Sequence, residues 1–156
     1  MNLYSAALWC YSGMASLVFG ASVYETLVVH PAWSRKPPES FAGFVGLPVS
    51  RMNIAAFWIP AAPLFALSSL VALVASLNAG VQDLPLIVSS ACAVMAVAWT
   101  LVYFRPTIGR FLERGGAGAS HERLQAEARL WIRLNWIRTA LVAIAWWGAI
   151  STLAAH

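Results

Sequence analysis

LWIRLNWIRTALVAIAWWGAISTLAA, residues 130–155, is the stretch whose reading decides the fold. Most of it is apolar for long enough to cross a bilayer, yet Asn135 and Arg138 lie inside its first turns. Trp131, Asn135 and Arg138 stand at i, i+4 and i+7, so they project from one helical face, which Leu124 and Ala128 extend backwards. An Arg near the centre of a bilayer costs about 3 kcal/mol on insertion scales. This polar stripe must therefore face a bundle interior or a wet cavity and find a partner there.

Working outward, the 156-residue chain is 60% hydrophobic and only 10% charged, where a soluble domain is roughly 45–50% apolar. Its mean hydropathy is +0.70. Runs at 4–29, 54–77, 85–104 and 132–154 are each long enough for the hydrocarbon core, which needs about 20 residues. The expectation is an all-α membrane protein with a single domain, 1–156, folded as an up-down bundle of four transmembrane helices. An interfacial segment joins helices 1 and 2, and a long fourth helix extends into the cytoplasm. The opening MNLYSAALWC lacks the basic segment and cleavage site of a secretory signal peptide, so it reads as part of the first span.

Charge supplies the topology. Arg35, Lys36 and Arg51 fall between spans one and two, and Arg105, Arg110, Arg114, Arg123, Arg129, Arg133 and Arg138 between or just inside spans three and four, which accounts for all 10 basic residues. The short loop between spans two and three offers only Asp83. By the positive-inside rule both termini lie outside and both long connectors in the cytoplasm. The net charge of +4 is then a topological signal at a lipid surface rather than a mark of nucleic-acid binding. Cys10 and Cys92 sit in the outer half of apolar spans with neither redox nor metal-ligand spacing, and read as small buried apolar residues.

Along span one, Gly13, Leu17, Gly20 and Tyr24 share a face that permits close helix approach. Glu25 lies about 7.5 Å of helix rise deeper than His30, so its carboxylate must be paired or carry a proton. His30 precedes Pro31, and a residue before proline disfavours helical geometry, so the span is expected to end there with His30 at the membrane boundary. The plain readings are an interfacial cap for His30 and a structural ion pair for Glu25. Residues 31–53 hold too few apolar side chains for a span and lie in the interface, as a turn or as a lid. Ser50 or Asn53 caps span two, which Pro60 and Pro63 are expected to kink. Asp83 caps span three. Trp99 and Tyr103 fit an aromatic belt or a cavity wall, and Arg105 a snorkelling residue or an anion site. After GGAGA the chain restarts at Ser120 as an amphipathic helix whose Glu122, Arg123, Glu127 and Arg129 form a solvated face.

Glu25, His30, Asn53, Arg105, Asn135 and Arg138 come from all four spans yet share one depth in or near the cytoplasmic half. Counted inward from Arg133, Arg138 is about 7.5 Å deep, which matches Glu25. The two are expected to pair.

VYETLVVHP, YFRPTIGRFL and LWIRLNWIRTALVAIAWW resemble segments of the anthrone oxygenase-like family of small four-helix membrane proteins, with the W-x-x-x-N-x-x-R pattern of Trp131, Asn135 and Arg138 and the His30-Pro31 pair as the most recognisable elements. The resemblance extends over nearly the whole chain and implies a membrane-embedded monooxygenase of the bacterial inner membrane. Such an enzyme oxidises a flat phenolic or anthrone-type molecule with molecular oxygen and no organic cofactor. That chemistry needs a base to remove a carbon-bound proton and a positive group to hold the enolate. His30 is the preferred base and Glu25 the second; Arg138 and Asn135 would hold the oxyanion. Asn53, Trp99, Tyr103, Arg105 and Trp131 would bind the substrate. Two other classes stay open: a haem or metal protein, for which only His30 among the three histidines is placed inside the membrane, and a non-catalytic accessory or transport subunit. The lipid bilayer, a small aromatic substrate and a second copy of the chain are the partners considered.

Overall fold

The computed structural model describes residues 2–35, 40, 54–115 and 120–156. In chain order these form α1 (Leu3–Tyr24), a π turn (Glu25–Val29), α2 (His30–Trp33), α3 (Ile54–Asn78), α4 (Leu84–Trp99), a second π turn (Thr100–Phe104), α5 (Arg105–Gly115) and α6 (His121–Ala155). Counting helix runs through the π turns, 4 stretches are long and apolar enough to cross a membrane: Leu3–Ala32, Ala56–Asn78, Leu84–Arg110 and His121–Ala155. Among the described residues there is no strand.

Local chemistry explains the helix ends. The Asn2 side chain accepts a hydrogen bond from Ser5 N–H at 2.8 Å and starts α1, and Asp83 and Ser120 likewise accept from Leu86 and Arg123 N–H to start α4 and α6. At the end of α3, Val81 N–H returns to Ser76 C=O and Gly80 N–H to Leu77 C=O, the paired bonds of a Schellman motif. That motif needs a left-handed residue, and Gly80 supplies it at φ 71°. Pro60 and Pro63 lie inside α3, which is continuous over its 25 residues.

Packing runs in a ring: α1 against α3, α3 against α4, α4 against α6 and α6 back against α1. The core comprises Leu8, Tyr11, Ala15 and Val18 of α1, Phe65 and Ala72 of α3, Leu86 and Ala93 of α4, and Val142, Ala145 and Ala149 of α6. At Gly148 a Cβ would lie 2.8 Å from both Pro85 O and Ser89 Cβ, so only glycine lets α4 and α6 approach this closely. There Ser89 Oγ donates to Ala145 C=O at 2.5 Å and meets Tyr11 Oη at 2.6 Å, which ties three helices together. The α1–α6 contacts run in opposite numerical order, from Tyr4 with His156 through Ser12 with Ala149 to Thr26 with Thr139 and His30 with Asn135.

Several sequence expectations need correction. The first span does not end at His30; the helix passes through His30-Pro31 to Trp33. Proline has no N–H, and its ring would strike the carbonyl of the preceding turn. A widened turn, with His30 N–H bonded to Glu25 C=O, absorbs the misfit. The same solution recurs at Arg105-Pro106, where Arg105 N–H bonds Thr100 C=O and the helix continues to Gly115. Gly13, Leu17, Gly20 and Tyr24 line the outward face of α1, with open space around both glycines; the buried face is instead that of Tyr4, Leu8, Tyr11, Ala15, Val18 and Ser22. Cys10 is exposed rather than buried, because it lies on that outward side where apolar groups suit lipid; Cys92 is buried as expected.

Candidate functional site

The buried residues of α6 include Leu124, Ala128, Trp131, Asn135 and Arg138, the face read from their spacing. Arg138 is 7% exposed and reaches three other helices. Its Nη2 lies 3.7 Å from Glu25 Oε2, and its Nη1 donates to Thr100 Oγ1 at 3.2 Å. Its guanidinium also lies 4.8 Å from the Phe104 ring centre and 5.6 Å from that of Trp58, distances at which aromatic faces attract a cation. Glu25 also accepts a short hydrogen bond of 2.5 Å from Trp58 Nε1. The carboxylate is thus held by α3 and α6 at once.

Both π turns serve this centre. Glu25 opens the first and Thr100 opens the second, and each touches Arg138. In a regular α-helix residues five apart point about 140° away from each other. The wide turn, closed by the His30 N–H to Glu25 C=O bond, lessens that divergence, and both side chains are buried, at 3% and 9% exposure. His30 is therefore a buried residue of the bundle rather than an exposed cap.

Around His30 a second polar chain forms. Asn135, fully buried, places its Nδ2 3.1 Å from His30 Nδ1 and 3.0 Å from Thr26 Oγ1. Thr26 Oγ1 in turn lies 2.7 Å from Ser22 C=O and 3.0 Å from Thr139 Oγ1. The His30 ring meets Trp131 edge to face at 4.8 Å, and Trp131 meets Phe104 at 5.2 Å. Trp99 and Tyr103 pack on Phe104 at 5.7 and 5.1 Å, so these half-buried rings wall the cluster on one side.

Glu25, His30, Asn135, Arg138 and Trp131 are thus brought together, with Trp99 and Tyr103 in the adjoining aromatic wall. Arg105 is exposed, and its backbone N–H closes the second π turn on Thr100 C=O. Asn53, Ser50 and most of the interfacial segment lie outside the described residues. Sequence reading missed Trp58, Thr100, Thr26 and Thr139. Thr100 carries no signal of its own: an X-Pro pair accompanies a widened turn at His30-Pro31 and Arg105-Pro106 but not at Pro60 or Pro63, where α3 is an unbroken α-helix.

Beside Arg138 lies a cavity of about 20 Å³ lined by Ser22, Trp58, Phe65, Ala96, Thr100 and Val142, among others. That is room for about one water-sized molecule. Arg138 Nε and Asn135 Oδ1 are buried without hydrogen-bond partners among the described residues. Nor do the described residues gather three His, Cys, Asp or Glu side chains into a metal-binding group. No family model, curated protein or solved structure matches the chain.

Proposed function

We propose that this chain is a membrane-embedded, oxygenase-like enzyme that oxidises a small, flat phenolic or anthrone-type ketone with molecular oxygen. The observation that carries the reading is the convergence of two groups able to move a proton, Glu25 and His30, one π turn apart, with a buried cation in contact with the first. Ketone oxidation of this kind begins with loss of a carbon-bound proton to a base, while the electron pair moves onto the ketone oxygen as an enolate. A preorganised positive group lowers the cost of that charge, and Arg138 has an Nε–H to offer. The enolate passes one electron to oxygen, and the carbon radical and superoxide combine as a peroxide. Loss of water leaves a new carbonyl. In balance, a ring methylene and one dioxygen molecule become a carbonyl and one water.

Trp99, Tyr103, Phe104 and Trp131 suit a flat aromatic substrate by stacking and edge contacts. The cavity beside Arg138 matches a diatomic or water-sized guest, so admission of the organic substrate requires the aromatic wall to part. We further place the chain as an up-down bundle in a bacterial inner membrane with both termini outside. The opposed order of α1–α6 contacts supports the antiparallel arrangement. The exposed Arg35, Arg105, Arg110, Arg123, Arg129 and Arg133, all on the connector side, support a cytoplasmic extension of α6.

The smallness of the same cavity favours a second reading, a non-catalytic accessory or transport subunit in which Glu25 and Arg138 are a structural pair. Incubation of purified protein with anthrone under isotopically labelled (oxygen-18) dioxygen separates the two. The enzyme transfers one labelled atom into the quinone carbonyl at a rate above that of protein-free detergent; a subunit without catalysis leaves product formation at the background rate.

A further inference from the structure

The hydrogen bonds around His30 determine which of its nitrogens carries the proton. Ser22 C=O can only accept, and at 2.7 Å it takes the single proton of the Thr26 hydroxyl. Thr26 Oγ1 is left with two lone pairs, which face Thr139 Oγ1 at 3.0 Å and the Asn135 side-chain amide at 3.0 Å. The end of Asn135 that faces Thr26 must therefore be its NH2, which fixes the amide orientation. That same Nδ2 lies 3.1 Å from His30 Nδ1, so Nδ1 has to accept.

We infer that the relay from Ser22 C=O through Thr26 and Asn135 holds His30 as the tautomer protonated on Nε2, with Thr26 and Asn135 as positioning residues. Both Asn135 N–H groups are then spent on Thr26 and His30, so Asn135 orients the imidazole and has no donor for an oxyanion. The consequence for chemistry rests on the oxygenase reading: a neutral His30 with Nδ1 engaged by Asn135 and a proton already on Nε2 has no lone pair left to take a proton from carbon. Proton removal from carbon then falls to Glu25, whose carboxylate returns it once the peroxide collapses. This reverses the roles suggested by residue type alone.

The test is nitrogen-15 and carbon-13 NMR of histidine-labelled protein in lipid bilayers. His121 and His156, both exposed, are replaced by Gln so that His30 is the one remaining histidine signal. The expected spectrum shows Nε2 protonated and Nδ1 bare. Thr26→Val removes the hydroxyl at nearly constant shape, which frees the Asn135 amide to rotate and gives a mixture of tautomers; Thr26→Ser restores the single form. Asn135→Asp, whose side chain can only accept, moves the proton onto Nδ1. A wild-type His30 protonated on Nδ1 or on both nitrogens overturns the inference, as does a Thr26→Val spectrum that is unchanged. If Thr26→Val does not fold, the wild-type spectrum and Asn135→Asp still decide. Failure here leaves the oxygenase reading intact with His30 as base, whereas absence of oxygen transfer to anthrone leaves the tautomer intact.

Discussion

Arg138 Nη2 and Glu25 Oε2 lie 3.7 Å apart, both buried, across the interface between the last helix and the first π turn. The separation is longer than a direct charge-assisted hydrogen bond, which runs about 2.7–2.9 Å. Glu25 instead makes its short contact with Trp58, and Arg138 its hydrogen bond with Thr100. The pair is thus a four-residue network, and its energetics follow from that.

Arg138→Ala strands the Glu25 carboxylate in an apolar setting, a loss of about 3–5 kcal/mol for buried pairs. Thermal unfolding in detergent should show a large drop in Tm. The double variant with Glu25→Gln removes the stranded charge and should recover most of the drop, so the two changes are non-additive. Additive losses would mean that the residues do not interact.

Trp58→Phe keeps a ring for the Arg138 guanidinium but deletes the Nε1–H that Glu25 accepts. The expected destabilisation is about 1–3 kcal/mol, the usual cost of an unsatisfied buried acceptor. In a Glu25→Gln background the same substitution should cost less. Equal costs in the two backgrounds would remove Trp58 from the network.

Gly148→Ala tests the packing that holds the bundle away from the site. A Cβ there overlaps Pro85 O and Ser89 Cβ, so stability should fall by about 1–3 kcal/mol through overpacking. Ala149→Gly, one residue along, should create no such clash. The activity of the folded fraction should not change for either variant.

How far these relationships were legible beforehand depended on what each signal measures. The face of Trp131, Asn135 and Arg138 followed from the 3.6-residue period, and the Glu25 partnership from shared depth. The pairing needs only that a buried charge has few places to go; the count inward from His30 is not what secures it, since the helix runs on past that residue. The burial of His30 was hidden because the pre-proline rule is local; it reports a penalty for a regular α turn and says nothing of a π turn that avoids it. Trp58 was hidden for a different reason. A Trp in an apolar span serves lipid, core or hydrogen bonding equally well, and only the neighbouring helix decides. Thr26 and Thr139 carry no distinguishing signal: a threonine in a helix commonly bonds its own backbone, as Thr26 does with Ser22, and a contact across helices leaves no periodic trace.

The proposed topology makes its own demand. In a cysteine-free background, Asp83→Cys lies in the short connector between α3 and α4 and should react with a membrane-impermeant maleimide added from outside intact cells. A cysteine introduced at Arg129, exposed on α6, should react only after the membrane is opened. The opposite pattern inverts the orientation and moves Glu25 and His30 to the external half.

The central claim is that the Glu25–His30–Arg138 centre consumes oxygen, and the most direct measurement is oxygen uptake by the purified protein with anthrone as probe. The wild-type protein should take up one dioxygen per quinone formed, and Glu25→Gln, His30→Ala and Arg138→Lys should each lower the rate by about 10² to 10⁴ while remaining folded. Uptake that persists unchanged in all three variants, or that never rises above the protein-free rate in the wild type, would contradict the account.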